Sequence, residues 1–442
     1  MTGLAKSPDR GVGWRGCHRV EGTRLAPELG LTGWVAVSEE TQLIGVAEIR
    51  AAQAVLDGIV RRTPLEPSRV LTKRVGGPVL FKCENLQRTG SFKIRGAYVR
   101  IARLTEEQRA RGVVAASAGN HAQGVALAAK LLGASATVFM PTTAPMPKIA
   151  ATRGYGAQIH LLGHTIAEPL EAAKAYAAET GAVFIHPFDH PDLLAGQGTV
   201  GLEILEQCPE VATVVVCTGG GGLLSGVAAA VKGLRPDVRI VGAQAAAAAC
   251  FPGSLAQGAP VALESMDTMA DGIAVPTPSE LTFTHVRDLV DDIVTVSEES
   301  LSRALLLCLE RAKFLVEPAG VAGVAAVLDD PSAFPPPVVV VLSGGNVDPV
   351  LLLRVIEHGM VAAGRYLSVR LRAPDQPGSL AKLLAVVADL GASVREVEHS
   401  RTGSRLHLGE VEVALSLETR GADHRAEVVQ ALLAAGYPVA VQ

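Results

Sequence analysis

From about Gly45 to residue 345 the chain alternates between short apolar runs and longer stretches with helical spacing. The runs are V-V-A-A-S (113–117), A-T-V-F-M-P (136–141), A-Q-I-H-L-L (157–162), A-V-F-I-H-P (182–187), T-V-V-V-C (213–217), I-V-G-A-Q (240–244) and V-V-V-V-L (338–342). Between them lie alanine- and leucine-rich segments such as H-A-Q-G-V-A-L-A-A-K-L-L (121–132). Continuous β-branched runs separated by helices predict βαβ units on parallel sheets covered on both faces. Three hundred residues of this pattern exceed one sheet, so two α/β lobes are expected.

The pattern changes at His358–Arg365. Beyond it the spacing predicts a strand over Tyr366–Arg372, a helix over Ser379–Leu390, strands over Ser393–Ser400 and Gly409–Glu418, a helix over Ala422–Ala435 and a closing strand from Tyr437. This βαββαβ order is the ferredoxin-like layout. Residues 1–41 hold both tryptophans, Trp14 and Trp34, and five basic residues without a sustained period, and read as a poorly ordered extension. The expected organisation is that extension, a body over 42–355 and a small domain over 366–442.

Composition narrows the function classes. With 48% hydrophobic and 19% charged residues, the chain has ample apolar material for a core. A formal charge of −4 and 4% aromatics leave no footprint for nucleic acid or an anionic membrane. The longest aliphatic runs are strand-sized, and no secretory signal opens the sequence, so a cytoplasmic protein is expected. Six cysteines, Cys17, Cys83, Cys208, Cys217, Cys250 and Cys308, show no C-x-x-C pairing and read as free buried thiols.

Three glycine- or serine-rich turns follow predicted strands. T-G-G-G-G-L-L-S-G (218–226) places Gly219, Gly220, Gly221 and Gly222 before a helix, where converging backbone N–H groups and the helix dipole suit a phosphate. It is neither a nucleotide-triphosphatase loop nor a dinucleotide fingerprint, so a smaller phosphate ester fits better. S-A-G-N-H-A-Q-G (117–124) offers Ser117 and Asn120 at another helix start, as a cradle for a carboxylate or ring oxygen or as ordinary capping. L-S-G-G-N (342–346) sets Ser343 at a strand's carboxyl end, where α/β sheets place ligands. A fourth stretch, S-F-K-I-R-G-A (91–97), sets Lys93 behind small and aromatic residues rather than among polar ones.

Taken in order, S-F-K-I-R-G-A, S-A-G-N-H-A-Q-G, G-G-G-G-L-L-S-G, E-P-A-G and L-S-G-G-N resemble the fold-type II pyridoxal-phosphate enzymes of the serine/threonine dehydratase family. The resemblance covers roughly residues 45–350. It implies a two-lobed, tryptophan-synthase-β-like α/β fold with a small lobe at about 112–188 inserted in the large one. It implies pyridoxal 5'-phosphate as cofactor, held covalently by Lys93. Phe92 would flank the ring, Asn120 would bond its 3-hydroxyl, Gly219 to Leu223 would hold the phosphate, and Ser343 would meet the pyridine nitrogen. Ser91, Ser117, Ala118, Gly119, Asn120, His121 and Glu317 are then the expected substrate contacts.

A neutral hydroxyl facing the ring nitrogen does not force its protonation, which favours elimination over transamination. Racemases of the group carry serine where this chain has Ala118, so net racemisation is not expected. Their divalent-cation site would need carboxylates near residues 244 and 250; Gln244 and Cys250 stand there, and no metal is expected. The segment H-P-F-D-H-P (186–191) reads as a loop rather than a metal site.

The resulting expectation is an amino-acid deaminase acting on threonine and serine. Two rivals stay open, a serine-preferring dehydratase and a non-catalytic amino-acid sensor. The tail's D-Q-P-G-S-L-A-K-L-L resembles the ACT family of amino-acid-sensing domains. Asp375, Gly378 and Ser379 are its effector candidates, with oligomer contacts as the alternative use of that domain. The expected partners are an amino-acid substrate, an amino-acid effector, and copies of the chain in a homodimer or homotetramer.

Overall fold

Val338–Val341 is buried on both faces, a central strand with helices above and below it. It belongs to a six-stranded sheet ordered Leu65–Pro67, Val79–Lys82, Val338–Val341, Thr213–Cys217, Arg239–Ala245, Asp292–Val296. All neighbours run parallel except the edge strand Leu65–Pro67, which pairs antiparallel with Val79–Lys82. The computed structural model describes residues 42–402 and 406–441, so the extension expected over 1–41 lies outside the described residues, as does Cys17. The other five cysteines are free and buried.

A second, four-stranded parallel sheet is ordered Gln158–Leu161, Ala136–Met140, Val113–Ala116, Val183–Phe184. Its strands all fall in sequence between Val79–Lys82 and Thr213–Cys217 of the larger sheet. The sequence pattern misses Leu65–Pro67, Val79–Lys82 and Asp292–Val296. The first and last are edge strands with exposed positions, and an edge strand need not look apolar.

One helix, Pro191–Gln207, sets the geometry between the lobes. It touches the helix Lys93–Ala102 backbone to backbone: a Cβ added at Gly196 would lie 2.6 Å from Gly96 Cα. On its other side it meets the helix Gly222–Leu234, where a Cβ at Gly198 would lie 2.9 Å from the Gly226 carbonyl and one at Gly226 would collide with the Leu194 carbonyl. Glycine at these positions is required by closeness rather than by backbone angle. The lysine helix and the glycine-turn helix are therefore both registered to one element.

Beneath the lysine helix lies a buried charge network. Arg95 grips Glu84 in bidentate fashion, Nε and Nη2 each at 2.8 Å, and its Nη1 reaches Glu203 at 2.6 Å. Lys82 Nζ donates to the same Glu203 at 2.6 Å, to the Thr63 carbonyl at 2.8 Å and to Gln207 at 2.8 Å. Thr63 closes the ring by donating to Glu84 at 2.6 Å. Every charge has a hydrogen-bonded partner, the condition under which buried ions are tolerated.

The tail forms a separate antiparallel sheet, ordered Ser393–Ser400, Glu410–Glu418, Tyr366–Pro374, Val439–Val441. Helices Ser379–Asp389 and Ala422–Ala434 pack their Leu383, Val387, Val428 and Leu432 against the alternating inward residues of Tyr366–Pro374 and Glu410–Glu418. The expected βαββαβ order is present, with the closing strand shortened to Val439–Val441. Helix Pro349–Ala362, capped by Asp348 at the Val350 and Leu351 N–H groups, links the tail to the strand end that carries Ser343. No helix among the described residues is long and apolar enough to cross a membrane.

Replacing Arg95 by methionine strips the buried Glu84 of its cationic partner and leaves Glu203 with Lys82 alone. It is expected to lower unfolding stability by about 3–5 kcal/mol, read as a shift in the denaturant midpoint with little change in slope.

Candidate active site

The carboxyl ends of the two parallel sheets face a cavity of about 500 Å³. Phe92, Lys93, Ser117, Ala118, Gly119, Asn120, His121, the turn Gly219 to Leu223, Glu317 and Ser343 line it. Ser91 does not. It is fully buried in an extended bridge with Gly344, and its hydroxyl has no partner. Ser91 is extended while Phe92 already has helical angles and Lys93 opens the helix, so the backbone changes direction after Ser91; Phe92 and Lys93 line the cavity and Ser91, expected as a substrate contact, does not.

Lys93 Nζ donates to the Pro187 carbonyl at 2.8 Å and lies 5.2 Å from the Phe92 ring centre. Desolvation pushes its pKa down from 10.5 to about 8, against smaller opposing pulls from Cys217 and Glu317. Helix Asn120–Leu131 starts without a side-chain cap, and a Cβ at Gly124 would lie 3.1 Å from the Lys93 carbonyl carbon, so this helix and the lysine helix are in backbone contact.

Asn120 is held at both ends of its amide: it donates to Glu317 at 2.6 Å and accepts from Asn346 at 2.8 Å, while Asn346 also donates to the Thr89 carbonyl at 2.6 Å. Burial raises Glu317 to about 7, helped by Asp271 and opposed by Lys148, Asn120 and Lys93. Gly344 is obligatory here, because any side chain would strike the Glu317 carboxylate.

The turn Gly219–Gly222 opens a helix with no side-chain cap, and Gly221 adopts φ 91°, a left-handed conformation that favours glycine. A Cβ at Gly220 would come within 2.5 Å of the Phe188 ring, and one at Gly222 within 2.8 Å of Phe188 Cβ. The cradle has room for a ligand but none for side chains.

The segment Ile185–His190 is a loop, as its composition suggests, yet it is also a wall of the cavity through His186, Pro187 and Phe188. His186 Nδ1 accepts from the Phe188 and Asp189 N–H groups at 3.3 and 2.8 Å, so its imidazole shapes the turn. Lys148, Asp271, Asn346 and this loop are site residues that sequence reasoning missed. The loop's proximity depends on how the small sheet folds back, and a lone Lys or Asp in a helix or turn carries no local signal. Only Asn346, inside L-S-G-G-N, was within reach of a motif argument.

At the 244/250 position Gln244 accepts from the Phe251 N–H at 3.1 Å and donates to Cys250 Sγ at 3.6 Å. Among the described residues no group of three His, Cys, Asp or Glu is gathered as a metal would need. In the tail, Gly378 takes φ 87° at the start of its helix, and Asp375 pairs with Arg401 at 2.9 Å.

Residues 56–344 match the family described as pyridoxal-phosphate dependent enzyme, and residues 367–436 match the ACT domain. The chain belongs to that pyridoxal-phosphate-dependent family and carries a C-terminal ACT domain. It is 47% identical over 90% of its length to the whole of the L-threonine ammonia-lyase of Thermotoga maritima. Among solved structures, maize serine racemase shares 40% identity and a TM-score of 0.68, covering 72% of this chain and 99% of that one. The T.th. threonine deaminase shares 42% identity and a TM-score of 0.66, covering 69% and 99%.

The residues present fit the cofactor. An uncapped glycine turn offers bare N–H groups to a phosphate, a desolvated amine lies in the same cavity, and a neutral Ser343 stands at the strand end. Because the Lys93 amine is depressed, its unprotonated form is available from about pH 8 upward. Uptake of pyridoxal phosphate by the stripped protein is therefore expected to accelerate with a midpoint near pH 8 rather than near 10.5, followed by stopped-flow absorbance.

Proposed function

We propose that the chain deaminates L-threonine to 2-oxobutanoate and ammonia by β-elimination of water, and L-serine to pyruvate. The observation that carries this reading is the Lys93 amine, desolvated and sharing its cavity with the glycine turn and Ser343. The names of the relatives, above all one 47% identical along its whole length, support the same substrate.

Pyridoxal phosphate, when bound, supplies an electron sink that acidifies the Cα–H of an amino acid. Lys93 would hold the cofactor, and its free amine would take the Cα proton, a role that a lowered pKa suits. Gly219 to Leu223 would hold the phosphate, Phe92 would flank the ring, and Ser343 would offer the ring nitrogen a neutral hydroxyl. The Asn120 amide has a second N–H besides the one given to Glu317, and that one would bond the ring hydroxyl. Glu317, a half-protonated acid near neutral pH, is read as orienting the substrate amine. Ala118 brings no proton donor to the cavity, which argues for elimination without racemisation.

The ACT domain is read as the receiver of an amino-acid effector at the helix start formed by Asp375, Gly378 and Ser379. We place the enzyme in the cytoplasm as a homodimer or homotetramer, forming a 2-oxo acid of the kind that isoleucine synthesis consumes.

Lys93→Ala is expected to cut turnover of threonine by more than about 10³-fold while the circular dichroism spectrum stays unchanged. Retained turnover would overturn the mechanism. With L-serine as substrate, pyruvate and no D-serine are expected by chiral chromatography; D-serine in the products would refute the reading of Ala118.

A further inference from the structure

Two charged side chains meet across the cavity from different lobes, and no step above uses them. Lys148, in helix Met146–Gly154 beside the small sheet, donates from Nζ to Asp271 Oδ2 at 2.7 Å. Asp271 opens the turn Asp271–Ile273, which lies against the glycine cradle: a Cβ at Gly219 would sit 2.9 Å from Ile273 Cα. Both residues line the cavity.

The pair is unequal. The Lys148 side chain is 9% exposed and that of Asp271 54%. An exposed carboxylate can give up its partner to water at little cost, whereas a buried ammonium must always have a counter-charge. The Lys148 ammonium also overlooks the start of helix Asn120–Leu131, since a Cβ at Gly119 would lie 3.8 Å from its Nζ. That helix start has no side-chain cap, so its N–H groups and dipole favour an anion at the same spot. Among the described residues that line the cavity, Lys93 is the only other lysine or arginine. The imidazoles His121 and His186 are kept neutral there, burial holding them at about 3 and about 4.

We propose that Lys148 is a specificity-determining residue that receives the α-carboxylate of the substrate, releasing Asp271 as it does so. This rests on reading the cavity as an amino-acid site. The exchange leaves the ion count of the buried ammonium unchanged, because one carboxylate replaces another. A ligand whose carboxylate is replaced by an amide cannot complete it, and leaves Lys148 tied to Asp271 across the space the ligand needs. Selection for a free α-carboxylate follows from that difference.

The test uses the cofactor-loaded full chain with Lys148→Met, Lys148→Arg and Asp271→Asn. Two readouts are taken: kcat and KM for L-threonine, and calorimetric binding of L-alanine and L-alaninamide, which have no β-leaving group. Lys148→Met is expected to raise KM by about tenfold or more, with kcat changed less, and to reduce the preference for alanine over alaninamide by a similar factor. Lys148→Arg should restore most of both. Asp271→Asn should leave KM at or below that of the unmodified chain, because it frees the lysine.

If Lys148→Met and Asp271→Asn raise KM together, the pair is only a latch between lobes and the proposal fails. It fails equally if Lys148→Met keeps the preference for alanine. Should the unmodified chain bind neither compound nor turn over threonine, the amino-acid reading of the cavity falls and takes the proposal with it. Should Lys148→Met not fold, the Lys148→Arg and Asp271→Asn results decide on the same criteria.

Discussion

Keeping one amine out of water is the constraint around which the site is built. The Lys93 ammonium is disfavoured by burial between walls that come from both sheets, which outweighs the Pro187 carbonyl that accepts from it and the Phe92 ring beside it. That arrangement survives only if the lysine helix cannot shift. Gly96 against Gly196 fixes its distance from the central helix, and the Arg95 network fixes its rotation, since a turn of that helix would pull a guanidinium out of two carboxylates. The same central helix holds the glycine-turn helix through Gly198 and Gly226, so the amine and the glycine turn keep a set separation.

Charge in the cavity is balanced in pairs rather than in a cluster. Lys93 and Glu317 influence one another, and Lys148 and Asp271 are in direct contact. Asn120 stands between the two lobes, donating to Glu317 and accepting from Asn346, and therefore reports on the position of both. At the end of Val338–Val341 the cavity wall presents the neutral hydroxyl of Ser343 rather than an acid.

The tail is covalently close to this chemistry although its own core is separate. Shortly after Ser343 the chain enters helix Pro349–Ala362, and from there it passes into the first strand of the ACT domain. Gly359 on that helix packs against the Ser302 carbonyl, and Arg365 pairs with Glu310 in the segment that leads to Glu317. The turn that carries Ser343 and the segment that carries Glu317 are thus joined to the elements on which the tail is mounted.

What could be read without the structure was whatever repeats locally. Continuous valine runs identified the buried parallel strands, and alternation along Tyr366–Pro374 and Glu410–Glu418 identified the half-buried ones, because burial on two faces or on one writes a different period. The run of four glycines announced a tight strand-to-helix turn at the cavity: Gly221 needs the left-handed backbone, and Gly219, Gly220 and Gly222 have no room for a side chain. Edge strands escaped because they share no such signal. The site was legible where a motif carries its own chemistry and illegible where contact is made across the fold. Ser91 belongs to the same motif as Lys93, yet it is buried in the extended residue just before the helix begins. Pro187, Phe188, Lys148 and Asp271 sit in ordinary segments and reach the cavity only because the small sheet folds back over the large one. The order of residues determined which groups were available and which local elements would present them. Their distances, and hence their protonation and their pairing, were decided by how two sheets close on a single helix, since desolvation and ion pairing depend on neighbours that lie tens to hundreds of residues away.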